Sequence, residues 1–400
     1  MKNIRLIKHP RTSVILLSLL LFFTGSFFQA CDKDDSGGTP SISYVRLTDP
    51  AKSDSLLTGA YMGDMIAIVG ENLGNTEEVW FNDQQALVYS TFITDNTIIV
   101  SVPSSVPEEV TDKLRLVFRD GSELLYNFRI NIPAPVISSV KCEYVPDGDT
   151  LVLYGDYFFN AQVFFPGDQE ASIFNETKTR LDVEVPAGAE QGPIVVKTKF
   201  GKVTSGFVFR DSRGIILDFD TKLGAGWRPG NRQRAEPDGI SGEYLVLTGS
   251  LANDWDWKDD YLEMDFWGQA SGNPEGPLFT GDPNDMLFKF EAYVVNPWSG
   301  GWMQLIFSPW SNAGNAVNSD DNIARGMWVP WMETGTYQTD GWITVEIPLS
   351  EFTYDHTRTA SNVKLVYPDN CGSLTIFVWG QVPAPCDVKI CIDNVRIVPK

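Results

Sequence analysis

"GDMIAIVGENL" (residues 63–73) recurs as "GDTLVLYGDYF" (148–158), and this pair decides how the first half of the chain is read. Each copy opens on Gly-Asp, alternates apolar residues and closes at a glycine, Gly70 or Gly155. The match extends outward on both sides. "SISYVR" (41–46) pairs with "VISSVK" (136–141), "EVWFNDQ" (78–84) with "QVFFPGDQ" (162–169), and "TIIVSVPSSV" (97–106) with "RLDVEVPAGA" (180–189). "LLYNFRI" (124–130) and "SGFVFRD" (205–211) complete the series. Short alternating stretches broken by Gly, Pro and Asn predict strands, and no amphipathic helix longer than a turn or two is visible. Gly70 and Gly155 are read as strand-end turn glycines, where a positive φ costs glycine little. The class is all-β.

Strands at this spacing suit two small immunoglobulin-like sandwiches of about seven strands each. The opening P-x-I, the central Gly-Asp strand and a late V-P resemble IPT/TIG domains. The expected domains are 41–134 and 135–211, joined at "PAPV" (133–136). Only Trp80 of the twelve tryptophans lies here, so both copies are expected to act as spacers.

The N-terminus carries an address. Lys2, Arg5, Lys8 and Arg11 precede an apolar run from Val14 to Phe28, the pattern of a secretory signal. Ala30 before Cys31 resembles a bacterial lipoprotein cleavage box, although Gln29 is not ideal for it. The acidic "CDKDD" resembles the export tag of surface lipoproteins in gut-bacterial glycan-utilisation systems. Residues 1–30 are expected to be a lipoprotein signal peptide, and 31–40 the lipid anchor at Cys31 with a flexible tether. The remaining chain has 27 basic against 52 acidic side chains, which leaves no cationic footprint for nucleic acid.

Cysteine and histidine limit the chemistry. Cys142, Cys371, Cys386 and Cys391 form no CxxC pair, so zinc is not expected, and spacing leaves their disulfide state open. His356, in the polar "YDHTRT", is the one histidine after the leader and reads as a surface residue. A Ser-His-Asp hydrolase would depend on that single imidazole.

Eleven tryptophans fall between Trp227 and Trp379. In "YLEMDFW" (261–267), Leu262, Met264 and Phe266 face one way; Tyr261, Glu263, Asp265 and Trp267 face the other. In "MLFKFEAYVV" (286–295), Lys289, Glu291 and Tyr293 lie opposite an apolar face. In "WMQLIF" (302–307), Trp302, Gln304 and Ile306 lie opposite Met303, Leu305 and Phe307. Rings interleaved with carboxylates and amides suit a sugar, which offers C–H groups to a ring and hydroxyls to its edge. Covering ~50 Å² per stacked sugar contributes about 1 kcal/mol.

The candidate glycan contacts are Trp255, Trp257, Trp267, Glu291, Tyr293, Trp298, Trp302, Gln304, Trp328 and Trp331. Trp342 opens "GWITVEIPLSEF" and reads as structural; Trp379, in a strand apolar on both faces, suits core and site equally. Trp227, in a glycine-rich loop, carries little information.

Residues 212–400, with "GSLANDWDW", "NPWSGGW" and the closing "KICIDNVRIVPK", resemble the C-terminal domain of the surface glycan-binding protein B family. That resemblance implies a carbohydrate-binding-module-like β-sandwich (jelly roll) behind the two immunoglobulin-like ones. It also implies a non-catalytic lipoprotein on the outer face of an outer membrane, holding a plant cell-wall polysaccharide, with xyloglucan or another β-glucan the expected ligand. No cofactor is implied. The implied partners are a SusD-like protein and a TonB-dependent transporter. The rivals are a β-sandwich glycoside hydrolase or lyase built on Glu263, Asp265 and Glu291, and a structural adhesin. A calcium site from Asp218, Asp220 and Asp393 is left open, because three scattered acids do not make one.

Overall fold

A computed structural model describes residues 38–400 except 53, 231, 235–238, 312–318 and 360–362. Residues 1–37, which include the expected signal peptide, Cys31 and most of the expected tether, lie outside the described residues. The chain divides into two compact units, one ending at Ile132 and one running from Pro133 to Lys400. The described α-helices, Asp259–Leu262 and Trp331–Thr334, have four residues each. The all-β reading stands.

The first unit is one sandwich. Strands Ser41–Leu47, Met65–Glu71 and Thr97–Ser101 form one sheet; Gln84–Ala86, Thr76–Phe81, Lys113–Phe118 and Glu123–Asn127 form the other. Val45, Ile66, Ile68, Val79, Phe81, Leu114 and Leu116 fill the space between them. The repeat unit 133–211 builds the same pair of sheets, with Leu151, Leu153, Val163, Phe165, Leu181 and Val183 inside.

The two copies also share a distortion. The opening strand bulges between Ile42 and Tyr44 in one and between Ile137 and Ser139 in the other. This corrects the reading of the repeat glycines, neither of which has a positive φ. A Cβ on Gly70 would lie 1.9 Å from the Ser41 carbonyl oxygen, and one on Gly155 would lie 1.8 Å from that of Val136. The glycines admit the close approach of the bulged strand rather than a turn.

The last sandwich has a back and a front sheet. The back sheet runs Arg232–Arg234, Glu243–Leu251, Cys386–Pro399, Met286–Val294, Ile343–Pro348, with Ile215–Leu217 also on Cys386–Pro399. The front sheet runs Glu263–Phe266, Ser373–Trp379, Trp302–Ser308, Arg325–Trp328. Leu262, Met264, Phe266, Phe288, Phe290, Ala292, Val294, Met303, Leu305 and Phe307 all enter the core between them. These are the inward residues that the alternation picks out.

The outer face of the back sheet is not free, because the second immunoglobulin-like sandwich packs on it. Glu143 of that sandwich meets Lys289 Nζ at 2.7 Å and Arg396 Nη2 at 2.7 Å. Arg396 also donates to both Glu291 oxygens, at 2.7 and 3.0 Å. Thr344 closes the cluster: its hydroxyl donates to Glu291 Oε1 at 3.0 Å and accepts from the Glu143 amide at 2.7 Å. Trp342 lies at this junction, 5.3 Å from the Tyr244 ring and 6.0 Å from that of Tyr293. The second copy is therefore a packing partner of the last sandwich.

Asp393 lies across from Glu291 on the same face and is buried. Burial, with Glu291, Asp220 and Asp218 nearby, pushes its carboxyl up to about 8 against an ordinary 3.8. Asp218 is already engaged by Thr221 and Lys222, and Asp220 accepts from the Glu243 amide. No group of three or more His, Cys, Asp or Glu side chains is arranged to hold a metal ion among the described residues. A raised acid keeps its proton in the folded state after the unfolded chain has lost it. Stability should therefore fall as pH rises from near 4 towards 8, by at most about 1.4 kcal/mol per pH unit. Urea unfolding at pH 5 and pH 8 should show this fall, and Asp393→Asn should flatten it. An unchanged slope in the variant would assign the dependence elsewhere.

Candidate functional site

The outer face of the front sheet is a grid of paired side chains. Trp302 lies opposite Trp379; Gln304 opposite Phe377, with Glu263 beyond; Ile306 opposite Thr375, with Asp265 beyond; Ser308 opposite Ser373. The rows run over the seven residues Trp302–Ser308, about 20 Å along the strands.

The rings on this face form two tiers. Trp302, Phe377 and Trp267 are buried at the level of the sheet. Above them, Trp255 contacts Trp302 at 5.6 Å and Trp379 at 4.8 Å, both edge-on. Trp257 rests against Phe377 at 6.3 Å, and Trp227 against Trp267 at 5.6 Å. The upper rings remain in contact with water: Trp227 is 66% exposed and Trp257 47%. An indole left this open is expensive unless something covers it.

The loops that raise the upper tier are held rigidly. Trp255 takes a left-handed backbone, φ 58°, which is strained for a side chain of this size. The strain is held by its amide, which donates to Gly380 O at 3.0 Å, and its carbonyl, which accepts from Trp379 Nε1 at 3.2 Å. Asp254 Oδ1 accepts from the Val382 amide at 2.9 Å and pins the same loop. Gly226 lies flat on Trp267: a Cβ there would come within 2.7 Å of the indole. The chain then returns so that the Arg228 carbonyl accepts from the Asp265 amide, leaving Trp227 at the apex.

Polar groups border the rings. The Arg228 guanidinium lies 5.8 Å from the Trp257 ring and 3.5 Å from Glu263. Arg358 lies 5.9 Å from the Trp302 ring, and His356 stacks on Trp379 at 5.8 Å. Gln304 is oriented from both ends: its amide donates to Trp379 O at 2.9 Å, and its oxygen accepts from Arg325 at 2.8 Å. Trp302 Nε1 is a buried donor with no partner among the described residues. Asp265 accepts from Thr375 at 2.9 Å, and burial lifts its carboxyl above the usual range.

The structure thus brings together Trp255, Trp257, Trp267, Trp302 and Gln304 of the candidate set. The other five candidates lie elsewhere. Glu291 and Tyr293 are on the back sheet; Glu291 is wholly buried against Arg396, and Tyr293 contacts the junction residue Trp342. Trp298 is fully enclosed, with its indole N–H donating to Gly300 O at 2.7 Å. Trp331 likewise donates to Gly301 O at 2.8 Å and is buried. Trp328 shares the inward face with Met303 and packs on Phe290 and Trp298. Loop composition misleads for Trp298, because a glycine-rich loop lets an indole fold inward as readily as outward, whereas Trp328 ends a front-sheet strand and Trp331 opens a four-residue helix. Sequence reasoning missed Trp227, Arg228, Phe377 and His356 and left Trp379 undecided. The one signal available for Trp227 was a large ring between glycines.

Front-sheet rings on a β-sandwich, behind tandem immunoglobulin-like domains, define a protein of the carbohydrate-binding-module type. Residues 209–399 match the family model described as surface glycan-binding protein B xyloglucan binding domain. A crystal structure of the surface glycan-binding protein PbSGBP-B from Prevotella bryantii is 28% identical. It superposes with a TM-score of 0.72, over 90% of this chain and 99% of that one. SGBP-B from a complex xyloglucan utilization locus in Bacteroides uniformis shares the fold at 18% identity and a TM-score of 0.51. That superposition covers 91% of this chain and all of the other. An IPT/TIG domain-containing protein of Bacteroides ovatus is 34% identical over 142 residues, 34% of this chain and 29% of that relative's length. Residues 209–399 thus carry the xyloglucan-binding-type domain of the surface glycan-binding protein B family, and the chain as a whole is similar to the solved member from Prevotella bryantii.

Proposed function

We propose that this chain is a non-catalytic cell-surface lipoprotein that captures a plant polysaccharide, xyloglucan or another β-glucan, on its front sheet. The observation that carries this reading is the two-tiered aromatic face, with exposed Trp227 and Trp257 resting on the buried rings Trp267 and Phe377. A buried tier fixes the upper rings before the ligand arrives, so little freedom is lost on binding. The acids behave as supports: Glu263 and Asp265 are buried beneath the rings and held by Arg228 and Thr375, and Glu291 serves the domain junction. The family description supports xyloglucan. Cys31 would fix the chain to the outer membrane facing outward, beside a SusD-like protein and a TonB-dependent transporter. Affinity electrophoresis of the full chain through xyloglucan, mixed-linkage glucan, galactomannan and starch tests the reading. Retardation by a β-glucan without release of reducing ends is expected. Free migration in every gel would sink the proposal, and shortened polymer would replace it with a hydrolase.

A further inference from the structure

His356 reads as a surface residue in the sequence, yet the fold carries it to the edge of the aromatic face. Tyr354 pairs with Arg325 at the margin of the front sheet, each amide donating to the other's carbonyl, at 3.1 and 3.2 Å. Asp355 Oδ1 accepts from the amides of Thr357 and Thr359, at 2.9 and 3.0 Å, and curls the loop. The imidazole comes to rest nearly parallel to Trp379, at 15° and 5.8 Å, and 6.1 Å from Trp255. Its Nδ1 lies 2.7 Å from Asp321 Oδ1. The ring is therefore held by a stack on one side and a carboxylate on the other.

That arrangement assigns the two nitrogens. A carboxylate can only accept, so Asp321 draws the proton of the neutral ring to Nδ1 and leaves Nε2 an acceptor. No described residue takes Nε2. A pyranose stacked on Trp255 spreads its equatorial hydroxyls sideways, toward the groups bordering that ring. We infer that His356, oriented by Asp321, is a ligand-contacting residue whose Nε2 accepts a hydrogen bond from a hydroxyl of the neutral glycan on this face. The contact selects sugars that carry a free hydroxyl there. It rests on the glycan-binding reading of the face.

Two substitutions separate contact from mere support. His356→Gln places an amide near Nε2 but abandons Asp321; His356→Asn places one near Nδ1 and keeps Asp321 company. Affinities of the full-chain variants are measured for whichever of the four polymers retards the wild type most, with His356→Ala and Trp255→Ala alongside. The alanine and asparagine variants are expected to lose about tenfold in affinity, and glutamine to recover most of it. Asparagine behaving as wild type while glutamine matches alanine would overturn the inference and make His356 a loop anchor. All three histidine variants behaving as wild type, with Trp255→Ala weakened, would overturn it and leave the binding reading intact. A wild type that none of the polymers retards would remove both.

Discussion

Arg396→Ala is expected to cost the unit from residue 133 onward about 3–5 kcal/mol. The guanidinium is fully buried, donates to Glu143 and Glu291, and lies 5.0 Å from the Tyr144 ring. Burial opposes its charge, but the two carboxylates hold it above the ordinary guanidinium range. Taking it away leaves two carboxylates in a dry interface, Glu143 with Lys289 at 2.7 Å and Glu291 with the Thr344 hydroxyl at 3.0 Å. The penalty comes from those stranded charges more than from the lost bonds, so replacing the whole cluster by apolar residues of similar volume should cost far less. Urea unfolding checks both arms. The same measurement reports on cooperativity: the two sandwiches of this unit should melt in one transition in the wild type. A loss below about 1 kcal/mol would mean that water reaches the cluster and that its burial is not what joins the domains.

Trp257→Ala and Trp227→Ala should each weaken glycan binding about five- to tenfold while leaving the unfolding midpoint unchanged. The two rings rest on different supports, Phe377 and Trp267, so the double variant should lose about 50-fold, near the product of the singles. Their exposure explains the silent stability: a side chain already in water has little folding energy to lose. Trp298→Ala makes the opposite case. Its enclosed ring should cost about 3–5 kcal/mol of stability through the cavity it leaves. Calorimetric titration with an oligosaccharide of the retarding polymer, beside thermal melts, separates the two kinds of tryptophan. Exposed-ring variants that bind as wild type would move the site off the front sheet.

Much of this architecture was legible in the chain. The repeat at 63–73 and 148–158 reports two copies of one sandwich, even to a bulge that each copy places opposite its glycine. The reason for that glycine was not legible, because contact with the Ser41 or Val136 carbonyl exists only once strands pair. The half of the candidate site that lies on Glu263–Phe266 and Trp302–Ser308 was also legible, because period-two alternation assigns every residue to a face.

Alternation does not say what covers a face. Met286–Val294 carries the same pattern as Trp302–Ser308, yet Glu291 meets Arg396, which also binds Glu143, while Gln304 lies beneath the rings. Nor does composition say which way a loop folds: Trp298 turned inward from the glycine-rich NPWSGGW and Trp255 outward from the acidic NDWDWKDD. His356 gave no signal, because its neighbours Asp321, Trp379 and Trp255 are distant in sequence. The sequence by itself determined the strands, their inward residues and the wealth of rings, since these follow from local chemistry repeated along the chain. The choice of the front sheet as the open face was made only by tertiary packing, when the second immunoglobulin-like domain buried the charged back sheet.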